Sequence, residues 1–370
     1  MMHHIPEYNA GQDAVPEWVT YAPKSLVAIV SRISDHRKWL APIAEESFGY
    51  SLVLQKAINN QTDQWIADGT MTRETKVSPM GPSRSFTRPP QVTREFARAI
   101  VYDIARPITT LRTQLQVAER AIYRLLRGAD NALKDADLVV AFICYRGCME
   151  QVAHMAILER DLAKLQPEFN YPAAQRFVGA AYDVLCRKLY ATRVGWQQFY
   201  DRNSFEQSIL KDEISYEAHK DRLDTTAKSC LAGIDHLNKR LKGTRACYEI
   251  LCEFTHPNVG ALVAFTRSAE HRIDSGGVPW IDKTLDEKGP FALLQEFGFV
   301  VERLCEAVAL SLDEFRDRIL PDLNRFEGAL QPAIQALCRK TIGNNPALVD
   351  RYEPCPCLSG NKTRFCCGKR

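Results

Sequence analysis

Apolar residues recur at helical spacing along most of this chain, and that period predicts an all-α protein. Leu26, Ile29, Val30 and Ile33 give one apolar face to a helix from Ser25 to Leu40, after a polar, Pro-containing start over residues 1–22. A second helix is predicted from Glu45 to Asn60, and neither is long enough to stand without a larger body to lean on. Between Gly69 and Val92 the period is lost, and Ser78-Pro79-Met80-Gly81-Pro82-Ser83 and Arg88-Pro89-Pro90 mark an exposed loop or linker. Its arginines and Lys76 either keep it solvated or touch an acidic partner.

The main body follows. A long helix is predicted from Thr93 to Gly128, kinked or split at Pro107 and stopped at Arg127-Gly128. Further helices run from Lys134 to Leu165 and from Pro172 to Thr192, the latter with proline where the first turn has no N–H partner anyway. Others are expected at Ser204–Lys211, Tyr216–Leu241 and Arg245–Thr255, with a short extended excursion at Val259–Phe265. Leu293, Leu294, Phe297, Val300, Val301, Leu304, Val308 and Leu312 mark an amphipathic helix over Pro290–Arg318, and a shorter one covers Phe326–Lys340. Asn344-Asn345-Pro346 reads as a hinge before the C-terminal segment. The organisation expected is an N-terminal helical extension (1–68), a linker (69–92), a main helical domain (93–345) and a small C-terminal module (346–370). The fold is therefore read as a multi-helix bundle carrying that module.

Composition changes this picture little. Hydrophobic residues make up 45% of the 370 and charged residues 25%, as in a soluble globular protein. A net charge of +3 is too small to imply nucleic-acid binding on its own. No stretch approaches the roughly 18 consecutive apolar residues of a membrane span. The first seven residues lack the basic-then-apolar order of a signal peptide, so a cytoplasmic location is expected.

Chemistry concentrates at the C-terminus. Cys355, Cys357, Cys366 and Cys367 form a C-x-C pair and a C-C pair, with eight residues between them. Four thiolates satisfy a tetrahedral zinc ion completely and leave no open position for substrate. Ser359-Gly360-Asn361 suits the turn that brings the pairs together, and Gly360 can take a positive φ. Disulfides between neighbours this close are strained, and the other eight cysteines sit singly in apolar helical patterns, as reduced thiols do. The pattern resembles the SEC-C motif, the zinc-binding tail of the bacterial preprotein-translocase motor and of many otherwise unrelated proteins. Cys355, Cys357, Cys366 and Cys367 match its ligand positions, and Lys362, Arg364 and Phe365 its basic and aromatic ones; Leu358 departs from the usual Gly. The resemblance covers about sixteen residues. It implies structural Zn2+ and a tail that docks on a protein or RNA partner.

A second cluster lies in the body. On the helix over Lys134–Leu165, Arg146 falls in the stripe of Val139, Phe142, Ile143, Met149, Ala153 and Ile157, with Glu150 beside it. A charge there costs several kcal/mol unless paired, and the two are four residues apart, close enough to pair. His256 precedes Pro257, which places its imidazole at a helix end where the dipole favours the protonated form. These stretches resemble the HEPN-like helical families, some linked to bacterial defence: Arg146 and Glu150 match one helix, Tyr248, Leu251 and His256 another, with Cys252 in place of Ser. The ribonuclease members have four to six residues between Arg and His, whereas Arg245 is the nearest here, ten residues intervening. Two readings stand: a binding protein whose zinc module docks on a partner, or an RNA-directed nuclease using His256 with Arg146, Glu150 being a further candidate; in the first, Arg146, Glu150 and His256 form a buried, mutually satisfied polar cluster that fixes helix register.

Overall fold

The computed structural model describes residues 22–45, 101–135, 137–189, 230–255 and 289–369, together with residue 19 and four short strands. Eight α-helices carry these residues: α1 (Lys24–Glu45), α2 (Arg106–Lys134), α3 (Leu138–Leu162), α4 (Ala173–Leu189), α5 (Cys230–Arg240), α6 (Thr244–Thr255), α7 (Gly289–Glu314) and α8 (Leu320–Asn344). Two antiparallel hairpins, β1 (Thr75–Ser78) with β2 (Gly81–Arg84) and β3 (His271–Ile273) with β4 (Pro279–Ile281), are the described strands. The architecture is all-α. The first hairpin lies inside the stretch read from sequence as a loop, and the second lies beyond Val259–Phe265, which falls outside the described residues, as do the predicted helix at Ser204–Lys211 and, after its first residue, the one at Glu45–Asn60.

Element boundaries differ from the sequence pattern for identifiable reasons. Helix at Val101–Asp103 breaks at Ile104–Ala105, and α2 restarts with Pro107 as its second residue, where a missing N–H leaves no bond unmade. Gly128 does not stop α2: a Cβ there would lie 3.1 Å from the Cys144 Sγ, so the glycine serves a close helix crossing inside the helix. The helix predicted from Lys134 begins later, because the Asp137 carboxylate accepts from Val140 N at 3.0 Å and caps the start of α3. The two helices predicted over 290–340 join through a π-helical turn, Phe315–Ile319. Its extra residue rotates the helix face, and both Phe315 and Ile319 point inward, fully buried.

The chain divides into two compact units that alternate along the sequence. The first comprises Met1–Glu46, Leu115–Ile157 and Cys230–Pro321. Within it α1 packs along α7, α5 against α6, and α6 against α7. Leu26, Val30, Ile33 and Leu40 line the buried face of α1 at the spacing the sequence predicts. His36 occupies the same face at 1% exposure. Its Nε2 lies 2.9 Å from the Asp313 carboxylate, which also pairs with Arg32 and Arg316. Burial, then the charges of Arg316 and Arg32, push the imidazole pKa down to about 4. The ring is therefore neutral at pH 7. The second unit comprises Ser47–Gln114, Leu158–Ser229 and Asp322–Arg370. Val101, Ala105 and Ile108 meet Phe177, Val178 and Ala181 of α4 and Leu330, Ile334, Leu337 and Ile342 of α8 in one buried cluster. Arg112 donates from Nε (2.9 Å) and Nη2 (2.6 Å) to Glu327, and Gln114 Nε2 donates to the Leu185 carbonyl at 2.8 Å.

Two outcomes follow from the first unit. A Cβ on Gly233 of α5 would lie 2.7 Å from the Ala153 carbonyl oxygen of α3, so Gly233→Ala forces backbone apart. A loss of about 1–3 kcal/mol in urea unfolding is expected despite the better helix propensity of alanine. His36 binds a proton in the unfolded chain near pH 6.5 but in the folded one only near 4, so its contribution to stability is lost as pH falls through that window. The loss is on the order of 2–3 kcal/mol between pH 6.5 and 4. His36→Gln should flatten that part of the stability–pH curve, and an unchanged slope would contradict the assignment.

Candidate metal centre

After α8 ends at Asn344, a 3-10 turn at Pro346–Leu348 and buried Val349 lead into the cysteine segment. Pro354 bridges Lys362 in antiparallel fashion, Cys355 N donates to the Asn361 carbonyl at 2.8 Å, and Thr363 N donates to the Glu353 carbonyl at 2.9 Å. Backbone bonding thus pairs residues 353–355 with 361–363 and brings the C-x-C and C-C pairs together before any ligand is considered. The turn between them uses two residues at positive φ, Leu358 at 61° and Gly360 at 77°. Gly360 adopts that conformation freely. Leu358 stands where the resembled motif usually has glycine, and the left-handed conformation costs a leucine about 1–2 kcal/mol. Its side chain packs partly buried against the core of the second unit, which offsets that strain.

The four Sγ atoms all lie within 4.8 Å of one another and all four residues are buried. Cys357 Sγ is 3.4 Å from Cys355 Sγ and 3.5 Å from Cys366 Sγ, and Cys366 Sγ is 3.8 Å from Cys367 Sγ. None is in a disulfide. Four soft donors converging on one centre are placed to hold a metal ion. As free thiols they are unequal. The Cys357 thiol donates to Cys355, and that bond, followed by burial, pushes its pKa up to about 11. At Cys366 burial opposes ionisation, but hydrogen bonds from Ser359 Oγ (3.2 Å) and the neighbouring thiols outweigh it and hold the pKa below the ordinary value. Lone sulfurs this close cannot all ionise without a cation among them.

Helix α8 grips the segment from one side. Gln331 Nε2 donates to the Cys357 carbonyl at 2.5 Å, and the Cys367 thiol faces the Gln335 carbonyl at 3.7 Å. Cys338 of α8, fully buried, adjoins Cys367. From the second unit's first stretch, Tyr102 donates its hydroxyl to Glu353 at 3.3 Å. All four cysteines belong to the same buried cluster as α4 and α8. Gln331, Gln335 and Tyr102 carried no signal in the sequence, because single polar residues on helices far from the cysteines have no pattern to betray them.

The polar cluster of the body lies in the first unit. Arg146 Nε donates to Glu150 at 3.0 Å, as their spacing predicts, and Arg146 Nη1 donates to Thr255 Oγ1 at 3.0 Å. Tyr248 donates its hydroxyl to the same Glu150 oxygen at 2.7 Å and receives the Cys230 thiol at 3.7 Å. Burial and the bond to Glu150 raise the Tyr248 pKa, so it remains a donor. The stripe that sequence places around Arg146 is divided: Val139, Phe142, Met149, Ala153 and Ile157 are buried, but Ile143 is 48% exposed. Arg146 and Glu150 sit half-buried at the edge of the core, so α3 is not surrounded on all sides. His256 lies outside the described residues.

A scan against protein-family models finds no match to this chain, and searches of curated proteins and of solved structures find none either. No described helix is long and apolar enough to cross a membrane. The turn geometry yields a test. A β-branched residue tolerates positive φ less well than leucine, so Leu358→Val should destabilise the metal-loaded segment by about 1–2 kcal/mol. Leu358→Gly, which relieves the strain but loses the packing, should change stability by less than about 1 kcal/mol. Thermal unfolding of the two variants side by side checks the order.

Proposed function

We propose that Cys355, Cys357, Cys366 and Cys367 bind one structural Zn2+ and that this helical protein serves to bind a protein or RNA partner through its basic C-terminal module. The convergence of four buried sulfurs within 4.8 Å carries the reading. Thiolates about 2.3 Å from a tetrahedral zinc stand about 3.8 Å apart. The separations of 3.4, 3.5 and 3.8 Å match that edge and exceed a disulfide bond. Zinc supplies the positive centre that lets all four sulfurs carry charge together. Four protein donors close the coordination sphere, which favours a structural over a catalytic role. The resemblance to the SEC-C motif points the same way, and to docking as the module's task. A cytoplasmic location is part of the same proposal, because four thiolates available to a metal require a reducing compartment.

In the body, Arg146, Glu150, Tyr248 and Thr255 satisfy one another, as a cluster fixing helix register does. That supports the binding reading over the nuclease one.

Metal analysis of the purified protein should give about one zinc per chain. Replacing Cys366 and Cys367 by Ser should abolish it. Because the sulfurs share a core with α4 and α8, the same change should lower thermal stability while far-UV helicity stays near that of the parent. Zinc binding displaces thiol protons, so apparent affinity should fall as pH falls. Substoichiometric metal in the parent, or full metal in the double variant, would refute the site.

A further inference from the structure

The outer surface of the cysteine segment carries an arrangement that the metal does not require. The Arg364 guanidinium lies 4.7 Å from the ring centroid of Tyr352 and 4.2 Å from that of Phe365. Both rings are largely in water, Tyr352 64% and Phe365 63% exposed. Large aromatic side chains left this open on a surface mark a place where something stacks. Arg351, Lys362 and Lys369 around them are exposed, and among the described residues no carboxylate forms an ion pair with these three or with Arg364. The two nearby acids are otherwise engaged: Asp350 accepts from Tyr352 N at 2.8 Å and Glu353 from the Tyr102 hydroxyl. Arg364 N donates to the Arg351 carbonyl at 2.9 Å, which ties the two basic positions together across the module.

We infer that this face, Tyr352, Arg364 and Phe365 ringed by Arg351, Lys362 and Lys369, binds single-stranded RNA. The inference deepens the proposed docking role and rests on the zinc-braced module that presents the face. An acidic protein would use the four cations but not the open ring planes. An apolar protein surface would use the rings but leave the cations desolvated and unpaired. Only a strand with both phosphates and free base faces uses both. In a duplex the base faces are already stacked, so unpaired RNA, with bases splayed from loops and ends, is the fitting form. A four-thiolate zinc centre would carry about −2 and offset part of the module's charge at long range, so contact at the surface and not steering from afar sets the affinity.

The test uses the zinc-loaded full-length protein and a fluorescent twelve-nucleotide oligouridine, read by anisotropy. Saturable binding is expected, with log affinity falling against log salt at a slope between about −2 and −3, the value for three or four phosphate contacts by a single strand. Tyr352→Ala and Phe365→Ala should each weaken binding about tenfold, and Phe365→Trp should retain it. Zinc content is measured on every sample, and Tyr352→Ala, outside the cysteine loop, decides the matter if Phe365→Ala loses metal. Absence of binding by the zinc-loaded parent, equal binding by Tyr352→Ala, or equal affinity for a duplex of the same length would overturn the inference. So would displacement of the RNA by polyglutamate of matching charge, which would assign the face to an acidic protein. In each of those cases a zinc stoichiometry near one leaves the metal site standing.

Discussion

Four sulfur atoms held within 4.8 Å of each other inside a protein are a constraint that the surrounding chain has to meet. Uncharged, they share protons through unequal hydrogen bonds; charged, they repel unless a cation sits among them. The second unit is arranged around this cluster. Its helices α4 and α8 bury the cysteines together with their own leucines and phenylalanine, and Gln331 and Gln335 hold the loop backbone and one thiol from the side. The cysteine segment is thus part of a core, although its own residues include few large apolar ones. A segment of this size has too little apolar area to fold on its own, and shared packing supplies what it lacks.

The first unit shows how the same protein handles charge without a metal. His36 is kept neutral by burial beside two arginines, and its Nε2 faces the Asp313 carboxylate, which can only accept. Arg146 is held at the core's edge, half in water, and divides its donors between Glu150 and Thr255. Glu150 in turn accepts from Tyr248. Each charge is either matched by a partner on another helix or left where water reaches it, which is why neither cluster demands the desolvation that a fully buried ion pair would.

Much of this was legible from residue order. Leu26, Val30 and Ile33 read as one face of α1 and are buried together; Pro107 marked a break, and the break falls just before it. The Arg146–Glu150 pair follows from a spacing of four on a helix. Other features were not legible because they depend on what comes near. Gly128 looks like a helix stop in sequence but lies inside α2, where a Cβ would stand only 3.1 Å from the Cys144 Sγ of α3. The joint between α7 and α8 was hidden because a π-turn inserts one residue and shifts the apolar phase, so a continuous helix reads as two.

The sequence by itself determined that this is a helical protein and which four thiols can share an ion, because helical period and C-x-C…C-C spacing are local properties written in consecutive residues. Tertiary structure alone decided that those thiols join the core of α4 and α8, that Thr255 completes the bonding of Arg146, and that Tyr352 and Phe365 flank Arg364 in the open. The reason is one of distance along the chain. Partners a hundred residues apart meet only after the helices have packed, and no periodicity in the sequence records which faces will meet.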